Sequence, residues 1–293
     1  MKTGSPDPTP FLLLLVLSLI WGSSFILIKK GLNIFSPAEV AGIRILSASL
    51  FITPMAFSHL KRTKASLYPL LLLSGLIGSF IPAILFAEAQ TRLASGITGV
   101  LNSLTPLFVF LLGTMFFRQS MKIPAIAGVV LCTLGTLILM AAEAPMGQAF
   151  NPFALLVVLA TLMYGLNVNL LKFSLRELSP MAIASVSLFM IGPLAAAQLW
   201  WYGHVFEKTM GTAGGPEALA YLSFLGIGGT GLALILFNRL IKLSSPLLSS
   251  SVTYFIPVVA LIWGLADGEM LRMHHLGGMA AILGGVFLIT RVK

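Results

Sequence analysis

Arg44 is the one basic side chain set deep in an apolar run, about seven residues or ~10 Å of helix from the run's end. An ionisable group at that depth is a functional hypothesis by default, usually with a partner. The acids to consider are Glu88, near the end of the third apolar run, and Glu39. Such a couple is expected to act as a gate, a clamp on a substrate carboxylate, or a proton-coupled pair. The plainer alternative is a guanidinium that snorkels outward or braces two helices.

Aromatic and amide groups add a second set. Trp and Tyr normally gather at membrane interfaces, yet Trp21 and Tyr164 fall near the middle of their runs. Midplane rings suit a cavity that stacks on amphiphilic cargo; packing between helices is the competing reading. Ser24 lies one turn from Trp21 and Asn167 one turn from Tyr164, so each shares its aromatic neighbour's face. Pro106 and Pro257 also sit mid-run, where each opens a backbone carbonyl that needs a partner. Asn102 and Tyr254, close to these prolines, complete the expected substrate-facing set of Trp21, Ser24, Asn102, Tyr164, Asn167 and Tyr254. Pro106 and Pro257 are expected to be paired hinges, with an ordinary kink as the alternative.

Other motifs do less. Gly226, Gly228, Gly229 and Gly231 lack the strand and Lys-Ser/Thr of a phosphate loop, so close helix packing is expected there. The same holds for Gly128, Gly135, Gly277, Gly278, Gly284 and Gly285. His274-His275 has no ligand spacing with other donors, and no metal or cofactor is expected. Cys132, the single cysteine, reads as a small core residue.

The elements that position these groups follow from composition. With 57% hydrophobic and 9% charged residues, the chain is far from the roughly 25% charge of a soluble globule. Lipid is the expected solvent, and a helix needs roughly 20 apolar residues to cross it. Ten spans are expected: Pro10–Lys30, Pro37–Phe57, Tyr68–Thr91, Ala94–Phe117, Ile123–Ala142, Asn151–Lys172, Pro180–Tyr202, Ala218–Ile241, Ser245–Ala266 and Met273–Thr290. The first is too long for a cleaved signal and lacks a small-residue cleavage site. Little chain is left for a soluble catalytic domain.

The chain is also written twice. Trp21-Gly22, Lys29 and Ser36-Pro37 recur 143 positions later as Tyr164-Gly165, Lys172 and Ser179-Pro180. Leu85-Phe86, Pro106 and Gly113 recur 151 positions later as Leu236-Phe237, Pro257 and Gly264. The eight extra residues match the Gly/Pro-rich insert Thr209 to Pro216. Two units are therefore expected, residues 1–147 and 148–293, with five spans each. An odd number of spans per unit inverts the second unit, and inverted repeats are a recurring architecture of transporters. Basic residues fall twelve to five in favour of the side holding both termini, which places those termini in the cytoplasm. The net charge of +9 then reports topology and anionic lipid rather than nucleic acid.

Taken in order, Trp21-Gly22-Ser23-Ser24-Phe25, Lys29, Arg44, Leu101 to Phe108, Ile256-Pro257-Val258-Val259-Ala260, Gly268-Glu269 and the Gly-rich last span resemble the EamA-type permeases of the drug/metabolite transporter superfamily. The resemblance covers nearly the whole chain. It implies an all-α integral membrane protein of the inner membrane, ten helices in two inverted repeats, exporting small amino-acid-like or amphiphilic metabolites without being an enzyme. The first unit departs from the pattern, with Phe117-Arg118 where the second has Gly268-Glu269, which favours a loop-capping role for the acid. The competing class is an integral-membrane enzyme acting on lipid-linked substrates. It needs convergent acids, His or metal, and most of the nine Asp and Glu lie in loops or at span ends.

Overall fold

Two Ser-Pro pairs open two long helices, for a local reason. Ser36 lies in extended backbone; its hydroxyl accepts from the Glu39 amide, and the Glu39 carboxylate accepts in return from the Ser36 amide at 2.7 Å. Pro37, with no N–H to satisfy, fits the first helical turn. Ser179 likewise accepts from the Ala182 amide at 3.1 Å ahead of Pro180. Alanine replaces the acid there, so only half of the reciprocal cap forms.

The computed structural model describes residues 9–117, 123–142, 150–243, 252–271 and 273–291, and every regular element among them is a helix, with no strand. The rods are α1 (Thr9–Leu32), α2 (Pro37–Leu60), α3 (Ala65–Ala89), α4 (Ser95–Phe116), α5 (Ile123–Ala142), α6 (Ala154–Phe173), α7 (Pro180–Tyr202), α8 (Gly215–Leu240), α9 (Val252–Ala266) and α10 (Met273–Arg291). Seven of them, α1 to α4 and α6 to α8, are long and apolar enough to cross a membrane. The other three hold shorter apolar stretches, Ile126–Ala142, Phe255–Ala266 and His275–Leu288. The expected beginning of the ninth span at Ser245 lies outside the described residues. The Thr209 to Pro216 insert runs from a short helix, Val205–Gly211, through a left-handed turn at Gly214 (φ 81°) into α8.

The most extensive pairings are α5 with α10 and α2 with α7. Glycine makes the first possible: a Cβ on Gly135 would stand 2.7 Å from the Gly278 carbonyl, and one on Gly285 2.6 Å from that of Gly128. Cys132 is buried in this seam, its Sγ 3.6 Å from the Ile282 carbonyl. The expected small-residue packing is therefore present at Gly135, Gly278 and Gly285, but not at Gly277, where a Cβ would meet nothing within 4 Å, nor at Gly228 of α8, where the nearest atom would be 3.9 Å away. At the other seam Gly192 abuts the Ser49 hydroxyl, and these two positions are equivalents of each other, 143 apart.

Two rods are not uniform. α3 widens to a π-helical stretch at Leu76–Phe80 and α8 does so at Leu225–Leu232. The 151-residue offset carries the first onto 227–231, inside the second. Such widenings occur frequently at functional sites. The contacts around them repeat as well. Gly75 abuts the Ser187 carbonyl as Gly226 abuts that of Arg44, and Gly165 abuts Phe108 as Gly22 abuts Val259.

Candidate functional site

The π-helical stretch of α8 is where side chains from α1 and α2 converge. Trp21 Nε1 donates to the Gly229 carbonyl at 3.0 Å, and Arg44 Nε donates to Thr230 Oγ1 at 2.9 Å. Ser24 turns its hydroxyl back onto the Ile20 carbonyl at 3.0 Å and stands against Gly229, where a Cβ would lie 3.2 Å from Oγ. The glycine lets α1 approach closely.

Aromatic rings carry the cluster across to the other half. Trp21 meets Phe237 edge-on with centroids 5.0 Å apart, and Tyr164 stacks on Phe86 at 5.9 Å and 23°. Phe86 in turn meets Phe25 at 5.8 Å, so a ring ladder runs from α1 through α3 to α6. These are equivalent pairs: Trp21 with Phe237 in one direction, Tyr164 with Phe86 in the other. Trp21 and Tyr164 each close on the opposite unit's phenylalanine partner.

Arg44 is half-buried and within electrostatic reach of Tyr164. Apart from Nε, its guanidinium makes no hydrogen bond and no ion pair among the described residues. The expected couple with Glu88 or Glu39 is not formed. Glu88 is exposed near the end of α3 without an ion pair there. Glu39 is fully engaged at the start of α2, accepting from Ser36, from the His204 amide at 2.9 Å and from Lys208.

The remaining expected residues are dispersed. Asn167 Oδ1 accepts from Ser74 at 2.8 Å, and its amide stands against Gly78 of α3. Asn102 opens a 3₁₀ turn, Asn102–Leu104, just ahead of Pro106; Thr105 donates its hydroxyl to the Asn102 carbonyl at 2.9 Å, repairing the bond the proline removes. The Asn102 side chain is half-buried with no hydrogen bond among the described residues. α9 runs helically through Pro257, without such a turn. Tyr254 lies on α9, its side chain outside the described residues.

A second cluster ties the ends of α1, α4 and α9. Lys29 Nζ lies 2.7 Å from Asp267 Oδ2 and 2.9 Å from Glu269 Oε1, and Lys30 pairs with Asp267. A left-handed turn at Gly268 (φ 82°) returns Glu269 to the N-terminus of α4. There it accepts from the Ser95 amide at 2.8 Å, the Ser95 hydroxyl at 2.7 Å and the Gly96 amide at 2.9 Å. Burial by itself would raise this carboxyl, but the Ser95, Gly96 and Lys29 bonds outweigh it and hold it below the usual range. Bonds from Lys29 and Lys30 lower Asp267 likewise. The capping role expected of Glu269 is the one it plays. Among the described residues no group of three or more His, Cys, Asp or Glu assembles that could hold a metal.

Thr230, Phe86 and Phe237 were not among the expected site residues, although both phenylalanines stood out as repeat landmarks. An uncharged threonine gives a searching eye no sign that it will hold an arginine.

The EamA-like transporter family matches residues 9–141 and again 151–291. The chain is 27% identical over 292 residues to an uncharacterized inner membrane transporter, YedA, of Escherichia coli K12, covering 96% of this chain and 90% of that one. It is 27% identical over 291 residues to a probable amino-acid metabolite efflux pump of Salmonella typhimurium LT2, covering 95% and 93%. It is also 21% identical over 274 residues to an uncharacterized transporter of Archaeoglobus fulgidus, covering 93% and 95%. A solved structure described only as a crystal structure of protein shares the fold, at TM-score 0.67 and 15% identity over 98% of both chains.

Proposed function

We propose, because the chain belongs to the EamA-like transporter family, that it is a secondary transporter moving small amino-acid-like or amphiphilic carboxylates across an inner membrane. The observation that carries the substrate class is Arg44. A guanidinium has five donors in a planar fork suited to a carboxylate, and here only Nε is used, on Thr230. Trp21 and Tyr164, each backed by a phenylalanine, supply the apolar surfaces on either side. The Salmonella relative's name, a probable amino-acid metabolite efflux pump, supports export and this class of cargo.

The ten helices act as two inverted five-helix units that rock about a shared axis. The equivalent contacts support this: Gly75–Ser187 with Gly226–Arg44, Gly78–Asn167 with Gly229–Ser24, and the two ring pairs. A molecule whose halves are interchangeable has two arrangements of similar energy, one open to each face. Both termini lie in the cytoplasm, which puts the Lys29–Glu269 cluster at the outer face, where it acts as the latch of an outward-closed state.

Purified protein in proteoliposomes tests the reading through counterflow with a panel of small metabolites. Preloaded carboxylate-bearing amphiphiles should drive uptake of their labelled counterparts; esters of the same compounds should not. Equal exchange of acids and esters, dependent on the protein, would remove Arg44 from substrate recognition.

A further inference from the structure

The seam between α2 and α7 is fastened differently at its two ends. In the second unit α7 reaches α8 through residues 203–214, whereas in the first unit α2 reaches α3 through 61–64 alone. The added length carries the short helix Val205–Gly211 across the boundary between the units to the start of α2. There the His204 amide donates to Glu39 Oε1 at 2.9 Å, and Lys208 donates to Oε2. With the Ser36 amide they close over a carboxylate only 1% exposed. A charge buried so deeply is tolerated only while it is paired and hydrogen-bonded.

The short helix has an inward and an outward face. Thr209 is buried, while Phe206 and Met210, one turn apart, are exposed. One turn beyond Glu39 the seam is closed by Gly42, whose Cβ would stand 2.6 Å from the Leu199 side chain. At the opposite end of the seam the equivalent positions hold Ala182 in place of Glu39 and Ala56 in place of Leu199, and the connection reads Lys61-Arg62-Thr63-Lys64. No acid waits there for those cations. Among the described residues every ion pair between the units lies at one end of the molecule, where α1 stops and α2 starts: Lys29 and Lys30 with Asp267 and Glu269, and Lys208 with Glu39.

We propose that the helix Val205–Gly211 is a strap that ties the second unit to α2 of the first, so that the molecule rests closed at this end and opens first at the other. Two interchangeable halves alone would weight both arrangements alike; the strap, present in one unit only, breaks that balance. Opening the strapped end returns water to Glu39, so the carboxylate depends on Lys208 only in the closed arrangement. Removing Lys208 therefore destabilises that arrangement in particular, since it leaves a buried charge unpaired. The strap matters because the two units rock, as proposed above, and it acts whatever the cargo is.

Pairs of spin labels on the full chain in detergent report both ends, with the buried Cys132 left in place. Glu88→Cys with Glu217→Cys spans the strapped end, and Ser58→Cys with Ser174→Cys spans the other; all four positions are exposed. With Lys208 intact, the short distance should dominate at the strapped end. In Lys208→Met the ratio of long to short distances there should rise at least about tenfold, and the distance at the other end should shorten with it. Lys208→Arg, which can refill the pair, should keep the parent distribution. Glu39→Gln leaves no buried charge and keeps an acceptor for both amides, so it should move both distances in the same direction by less. Distances unchanged in both Lys208→Met and Glu39→Gln would make the pair a static clamp and overturn the proposal. Widening at the strapped end alone would be local fraying and would overturn it equally. Acids and esters exchanging alike in counterflow would sink the carboxylate reading without altering these distances, so the two failures are separable.

Discussion

Arg44 and Trp21 differ in what their removal should reveal. Arg44 bonds one neutral oxygen on α8, so Arg44→Met costs the fold little beyond one charge-assisted bond. Its effect should fall on cargo, with at least a tenfold loss of apparent affinity for carboxylates, the size expected when about 1.5–3 kcal/mol of a bond to a charged group is lost. Arg44→Lys keeps the charge but not the fork, and should recover only part of that affinity. Trp21 is a packing group as well as a cavity wall: it bonds Gly229 and abuts Phe237. Trp21→Phe should therefore destabilise by about 1–2 kcal/mol through the unpaired Gly229 carbonyl, read as a lowered melting temperature, while retaining most cargo binding. Glu88 is exposed and unpaired among the described residues, so Glu88→Gln is expected to leave counterflow and gradient-driven uptake unchanged.

Helices in this protein approach through glycine and are tied at their ends by charge. Gly226→Ala would drive a Cβ into the Arg44 carbonyl on α2 and should cost about 1–3 kcal/mol. Gly277→Ala, in α10 with nothing within 4 Å of the added carbon, should instead stabilise by roughly 0.5–1 kcal/mol, since alanine is the better helix former. Paired melting curves for the two variants check the packing assignments. At the ends of α1, α4 and α9, Glu269 and Asp267 have lowered pKa values. Groups depressed in the folded state stabilise it above the ordinary carboxylate range, and the contribution is lost as pH falls through the folded values. Stability should hold from neutral pH down to about 5 and decline below it. Glu269→Gln should melt lower at neutral pH, with the gap closing as the wild type is acidified. The rods themselves were legible in the sequence because twenty-residue apolar runs, Ser-Pro starts and Gly-rich faces each have a local cause. The π-helical stretches of α3 and α8 were not: Gly78 and Gly229 within them stand against Asn167 and Ser24 of other helices, contacts that no local pattern announces. Nor was the Arg44 partner: two acids drew attention by charge, while register and depth placed the neutral Thr230 against it.

Across the whole molecule, pairs such as Trp21–Phe237 and Tyr164–Phe86 join opposite halves, so the proposed rocking of the units would have to break equivalent contacts. The exposed Trp200 and Trp201 at the end of α7 suit an interfacial belt at the outer face, the side to which the basic-residue asymmetry assigns that end. A reporter fused after Lys293 should accordingly be active only as a cytoplasmic one. The central claim is that this chain moves carboxylate-bearing metabolites through a site built on Arg44. Its most direct test is counterflow in proteoliposomes holding the wild type or Arg44→Met, with labelled carboxylates outside and the same compounds preloaded. The account predicts saturable exchange by the wild type and at least a tenfold higher half-saturation concentration for the variant, with both proteins equally folded. Exchange no faster than in empty liposomes across the panel, or identical saturation curves for the two proteins, would contradict it.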